Sequence, residues 1–211
     1  MCKLADRLYQ TNIRDDVPRV PPTQLRTLTA TEPEFLALLR HAKPWMKAFL
    51  LLARSLGLRN IEARSIRPGD IQHDAGTLFF SRKQEGDSNL PLTPELAAIF
   101  ARHANKPDTP LLECIAKRPV SHDMVGREWI RIRKLAGVNP RLTPHDLRRT
   151  VCKRVYDATK DLRLCQQLLG HRSLQSTLRY VGAFDRTQLR QHILAAAPNL
   201  NDLPLGSERT Q

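Results

Sequence analysis

The stretch Thr143-Pro144-His145-Asp146-Leu147-Arg148-Arg149, continued by Leu168-Leu169-Gly170-His171-Arg172-Ser173 and closed by Thr177-Leu178-Arg179-Tyr180, decides how this chain is read. Thr143 caps a helix, Pro144 suits its first position, and Asp146, three residues after Thr143, completes a capping box. Leu147, Val151, Val155 and Ala158 then recur on one apolar face. His145 and Arg148 stand three apart, hence side by side on the helix surface, at or beyond the edge of that face. Gly170 marks a C-cap, His171 follows it, and Ser173 starts a short helix with Leu174, Leu178 and Val181 expected inward. Tyr180 falls off that stripe, where packing alone would not put it.

Working outward, residues 1 to about 27 are polar and proline-containing and are expected to form an arm or linker. Thr31 caps a helix carrying Phe35, Leu38 and Leu39. A second helix begins at Pro44, with Trp45, Phe49 and Leu52 at i, i+4 and i+7. Gly57 ends it. Arg59 follows, and Asn60 is the expected cap of a short helix bearing Ile61 and Ala63. An arginine there opposes the helix dipole unless an anion is bound.

From Asp70 the period changes to two. Strands are expected over residues 70–73, 77–82 and 89–92, with Lys83 beside the second turn. Helix returns at Thr93-Pro94. Residues 106–120, with three prolines, read as a loop with an extended piece at Leu111-Leu112. Ser121 caps a helix with Met124, Trp129 and Ile130 or Ile132 inward. A last helix is expected over about 186–197, with its apolar face docking on a neighbouring copy, and a disordered tail over 198–211. The expected fold is α+β, mainly helical, with one small three-stranded antiparallel sheet in a domain spanning 28–197.

The chain has 211 residues, with 34 Lys and Arg against 21 Asp and Glu, a net charge of +13. That excess points to a polyanion, nucleic acid before membrane. Aromatics make up only 5% of residues, thin for stacking single-stranded bases, which favours backbone recognition of a duplex. Cys2, Cys114, Cys152 and Cys165 have no metal-ligand spacing and read as buried free thiols. The chain shows neither a signal peptide nor a bilayer-spanning run, so the expected location is the cytoplasm, at the nucleoid.

Four linked boxes carry a family resemblance: Leu56-Gly57-Leu58-Arg59-Asn60-Ile61-Glu62, His145-Asp146-Leu147-Arg148, Leu168-Leu169-Gly170-His171 with Ser173, and Thr177-Leu178-Arg179-Tyr180. Together they resemble the signature of tyrosine recombinases, the phage integrase family, over roughly residues 28–197. The resemblance implies site-specific cutting and rejoining of DNA through a 3′-phosphotyrosine. By it, Arg59 and Arg148 clamp the scissile phosphate, His145 and His171 supply hydrogen bonds and handle protons, and Tyr180 is the nucleophile. Lys83 matches the lysine that protonates the leaving 5′ oxygen, and Glu62 an acidic position supporting the first arginine. It further implies double-stranded DNA with inverted-repeat sites as partner, a homotetramer on that DNA, and no cofactor, ATP or metal. Family members usually carry a helical domain before the catalytic one. The short segment before residue 28 is expected to mean a single-domain member or a fragment.

The chemistry agrees with these residue types. Guanidinium groups meet phosphate oxygens bidentately. A tyrosine hydroxyl needs nearby cations or a base before it attacks, and the leaving alkoxide needs an acid. Arg149 adjoins Arg148, and the spacing from His145 favours Arg148 as the site residue. The competing readings are a type IB topoisomerase-like relaxing activity, which uses similar residues, and a DNA-binding accessory factor that does not cleave.

Overall fold

The computed structural model describes residues 28–82 and 86–181. The arm expected over 1–27, Lys83, the helix near 186–197 and the tail lie outside the described residues. Helices α1 (Glu32–His41), α2 (Pro44–Ser55) and α3 (Asn60–Ser65) come first. Strands β1 (Ile71–Gln72), β2 (Thr77–Arg82) and β3 (Gly86–Pro91) follow, then α4 (Pro94–Ala101), α5 (Leu111–Ala116), α6 (His122–Leu135), α7 (Pro144–Thr159), α8 (Leu162–Leu169) and α9 (Leu174–Val181). The fold is therefore α+β and mainly helical, with one small antiparallel sheet, as expected.

Helix α2 is the centre of the core. Trp45, Phe49 and Leu52 are buried as their spacing requires, but so are Met46, Ala48, Leu50 and Ala53. A helix apolar nearly all round belongs inside a domain, and α2 packs against α4, α5 and α7. Each large aliphatic or aromatic side chain so buried stabilises the fold by about 1.5–3 kcal/mol. Trp129 of α6 is buried, and its Nε1 donates to the Leu142 carbonyl at 3.1 Å, tying α6 to the segment that leads into α7.

The sheet has order β1-β2-β3, with Leu78 opposite Leu90 and Arg82 opposite Gly86. Along β2, Leu78, Phe80 and Arg82 point inward while Phe79 is 41% exposed. Arg82 thus takes a core-facing place in a period-two pattern.

Several local expectations are corrected. The first strand is only Ile71–Gln72, and the third begins at Gly86, inside the expected turn. Leu111 and Leu112 lie in α5 rather than in an extended piece, because burying them with Cys114 against the core supports a helix too short to stand alone. Arg59, not Asn60, is the residue that caps α3, since Asn60 already has helical geometry. Ile132, not Ile130, is the inward residue of α6. Leu174 is 40% exposed while Thr177 is fully buried, because α9 turns its Thr177–Tyr180 side toward α7 and α8. Ala158, beyond the last of these contacts on α7, is exposed.

Candidate active site

Helix α7 begins as its sequence dictates. Thr143 N and Oγ1 donate to Asp146 Oδ2 at 2.8 and 2.7 Å, which closes the capping box and sets the first turn. That turn places His145, Arg148 and Arg149 in three different surroundings. Arg148 is not on the helix surface as expected. It is wholly buried, with Nη1 donating to the Gly57 carbonyl and Nη2 to the Leu169 carbonyl at 2.5 Å. Glu62 Oε2 lies 3.6 Å from its Nη1. Burial, and then the charge of Arg59, pull the Arg148 pKa down to about 10, against the opposing pull of Glu62. A guanidinium with five donors remains a cation at neutral pH even so.

Arg59 approaches from the start of α3. Its backbone N–H donates to Glu62 Oε2 at 2.7 Å and its Nη1 to Glu62 Oε1 at 2.9 Å. Glu62 therefore touches both arginines and sets their separation. Arg59 keeps about a third of its side chain exposed, facing a cleft lined also by His171, Ser173, Arg179 and Tyr180.

The turn after α8 supplies His171. Gly170 has φ +61, a left-handed conformation that glycine adopts without strain. The N–H groups of Gly170 and His171 then return to the Gln167 and Gln166 carbonyls, both at 3.1 Å. His171 Nε2 lies 3.3 Å from Arg148 Nη2, and its Nδ1 3.0 Å from Thr177 Oγ1. Arginine only donates, so Nε2 accepts, Nδ1 carries the proton, and Thr177 receives it. Gln166 Nε2 holds the His171 carbonyl at 2.8 Å.

Tyr180 closes the cluster from α9. Its hydroxyl lies 2.6 Å from His145 Nε2. The ring sits 5.1 Å from the His171 ring, and Arg149 Cζ lies 5.2 Å from its centroid. It also packs in part on the small apolar cluster of Cys152, Cys165 and Leu169. His145 is open to solvent on one edge. Its crowded side, together with the charges of Arg148 and Arg149, holds its pKa below the usual value and keeps it a neutral acceptor.

The structure thus brings Arg59, His145, Arg148, His171 and Tyr180 to one place, while Lys83 lies outside the described residues. Sequence reasoning missed Arg82. Buried at the end of β2, it donates from Nη1 to the Leu169 carbonyl and from Nη2 to the Leu168 carbonyl at 3.0 Å. Arg82 and Arg148 share the carbonyl end of α8, the negative end of its dipole. The inward alternation Leu78, Phe80, Arg82 was the available signal. Chemically, the cluster offers cations for a tetrahedral anion, a neutral imidazole against a phenol, and a second imidazole of defined tautomer.

A mainly helical domain with a phenol, two imidazoles and converging guanidiniums at one cleft is the class that fold and site define. A profile of the phage integrase family matches residues 22–186. The chain belongs to that family. Putative integrase/recombinase y4qK of Sinorhizobium fredii (strain NBRC 101917 / NGR234) is 30% identical over 140 residues, covering 64% of this chain and 45% of that protein. Tyrosine recombinase XerC of Rhodospirillum centenum (strain ATCC 51521 / SW) is 30% identical over 147 residues, covering 65% of this chain and 43% of its own length. The chain spans about half the length of the curated relatives it matches. Among solved structures, a lambda integrase(75-356) dimer bound to a COC′ core site superposes with a TM-score of 0.67 at 21% identity, over 87% of this chain and 71% of that one. XerA recombinase gives 0.65 at 22%, over 84% and 68%. These likenesses establish the fold. Among the described residues, no helix is long and apolar enough to cross a membrane, and no three His, Cys, Asp or Glu side chains gather so as to hold a metal ion.

Proposed function

We propose that this chain is the catalytic part of a site-specific DNA recombinase that cuts and rejoins strands through a 3′-phosphotyrosine, without ATP or metal. The observation that carries the reading is the Tyr180 hydroxyl 2.6 Å from His145 Nε2, beside the Arg148–His171 pair. Tyr180 gives its proton to His145, and its oxygen attacks the scissile phosphorus. The P–O5′ bond breaks, and the 5′ oxygen takes a proton from Lys83. The 5′-hydroxyl of a partner strand then attacks the phosphotyrosine, reversing the step on new DNA. Arg59 meets the phosphate from the cleft. Arg148 is wholly covered, so its engagement exchanges a carbonyl partner for a phosphate oxygen. Once Arg148 has moved, His171 Nε2 takes a proton from solvent and donates it in a hydrogen bond to the same phosphate, and Glu62 steadies both arginines.

The partner is double-stranded DNA with inverted-repeat sites, held by four copies of the protein at the nucleoid in the cytoplasm. The domain spans 28–197, flanked by an arm before and a tail after. The test uses a pool of nicked duplexes with randomised core sequence, from which protein–DNA adducts stable to detergent are isolated and sequenced. Wild type forms adducts sharing one site, and Tyr180→Phe forms none. Equal trapping by Tyr180→Phe, or no adduct from wild type, overturns the reading.

A further inference from the structure

We propose that Arg149 is a positioning residue for the nucleophile, lying under the Tyr180 ring and holding it, with a positive charge beside it, while His145 holds the hydroxyl. The inference rests on Tyr180 being the nucleophile. Arg149 is 8% exposed, and its Nη1 donates to Asp146 Oδ1 at 2.7 Å. Asp146 is itself fully buried and locked to Thr143 through the capping box. The guanidinium therefore has little freedom, and its Cζ stands 5.2 Å from the tyrosine ring centroid. One helical turn thus grips Tyr180 at two points, the ring face and the hydroxyl, and the cap that starts α7 anchors both.

A cation over an aromatic face is attracted by the ring quadrupole. The attraction grows when the phenol loses its proton, because an opposite charge nearby favours the ionised form. Burial limits the screening of that charge. Asp146 offsets part of it, but also prevents the arginine from swinging out to solvent. The charged and titratable groups facing Tyr180 are His145, Arg148 and Arg149 from α7, His171 after α8, Arg59 before α3, and Arg172 and Arg179 along the cleft. Among the described residues, Arg149 is the one whose guanidinium lies over the ring.

The experiment compares single-turnover adduct formation by wild type, Arg149→Lys and Arg149→Gln on the site recovered above, with binding of the same duplex by gel shift. Arg149→Gln is expected to form adduct roughly 3- to 30-fold more slowly, the range of a desolvated cation–π contact, with unchanged DNA affinity. Arg149→Lys stays within about threefold of wild type. A substrate with sulfur in place of the bridging 5′ oxygen needs no acid for its leaving group, and the Gln defect persists on it. The double variant Asp146→Asn with Arg149→Gln removes the buried pair together and shows the same defect if the single variant fails to fold. The inference is overturned if Gln matches wild type, if the sulfur substrate removes its deficit, or if Lys is as slow as Gln. Each of these leaves the wild-type adduct intact, so Tyr180 as nucleophile fails only by the earlier test.

Discussion

Tyr180 Oη and His145 Nε2 are 2.6 Å apart in a single chain, one from α9 and the other from the first turn of α7. His145 must be neutral to accept this hydrogen, and its pKa lies below the ordinary 6.5. Unfolded, the same side chain protonates at the higher pH. Acidification through about 6.5 therefore costs folding stability, while the acceptor itself is lost only further down, at the folded pKa. Adduct formation is expected to hold level from neutral pH to below 6.5 and fall only further down. His145→Gln lowers the rate by about a hundredfold and abolishes that acid limb, as rate–pH profiles will show.

Because this contact lies within one chain, Tyr180 is expected to act in its own protomer. Mixing Tyr180→Phe with Arg59→Ala is expected to restore no adduct, because neither chain carries a complete cluster. Adduct from the mixture, measured by denaturing gel, would mean that the tyrosine is shared between protomers.

The two arginines joined through Glu62 differ sharply in burial. Arg148 is wholly covered, whereas Arg59 keeps 34% of its side chain exposed. Arg148→Ala strips the Gly57 carbonyl of its side-chain donor, leaves Glu62 to Arg59 and the Leu169 carbonyl to Arg82, and opens a cavity at a fully buried site; it is expected to cost about 3–5 kcal/mol in urea unfolding. Arg59→Ala costs under about 1 kcal/mol, since solvent already screens its pair. Both variants lose adduct formation, so stability separates what activity does not.

A Cβ on Gly170 would collide with the Arg82 guanidinium and would have to take φ +61. Gly170→Ala is expected to cost about 1–3 kcal/mol and to displace His171 with the turn. The signature is a lower Tm together with slower adduct formation.

Cys152 and Cys165 are fully buried, and burial pushes the Cys152 thiol up to about 12. Neither is expected to react with a thiol reagent at neutral pH until the chain unfolds. Mass spectrometry of labelled native and urea-unfolded protein checks this.

The legible parts were local. Caps, glycine turns and apolar spacing act over three or four residues, and they placed α7, the Gly170 turn and the run of α2 correctly. Where a local rule misled, as at Leu111-Leu112, tertiary burial overrode the prolines. The motif residues could be named from their order along the chain, and the family to which that order pointed is the one whose profile matches residues 22–186.

What each long polar side chain meets was decided elsewhere. Arg148 reaches the Gly57 carbonyl across 91 positions, and Arg82 reaches Leu169 across 87. No periodicity encodes such pairings, because they depend on how α2, the sheet and α8 pack together. The sequence by itself named the residues proposed to carry the chemistry, since their types and spacing are local facts. Only the tertiary structure decided that Arg148 is buried, that Arg82 joins it at the end of α8, and that Arg149 turns to Tyr180. Burial makes an unpaired polar group costly, so packing rather than spacing chooses its partner.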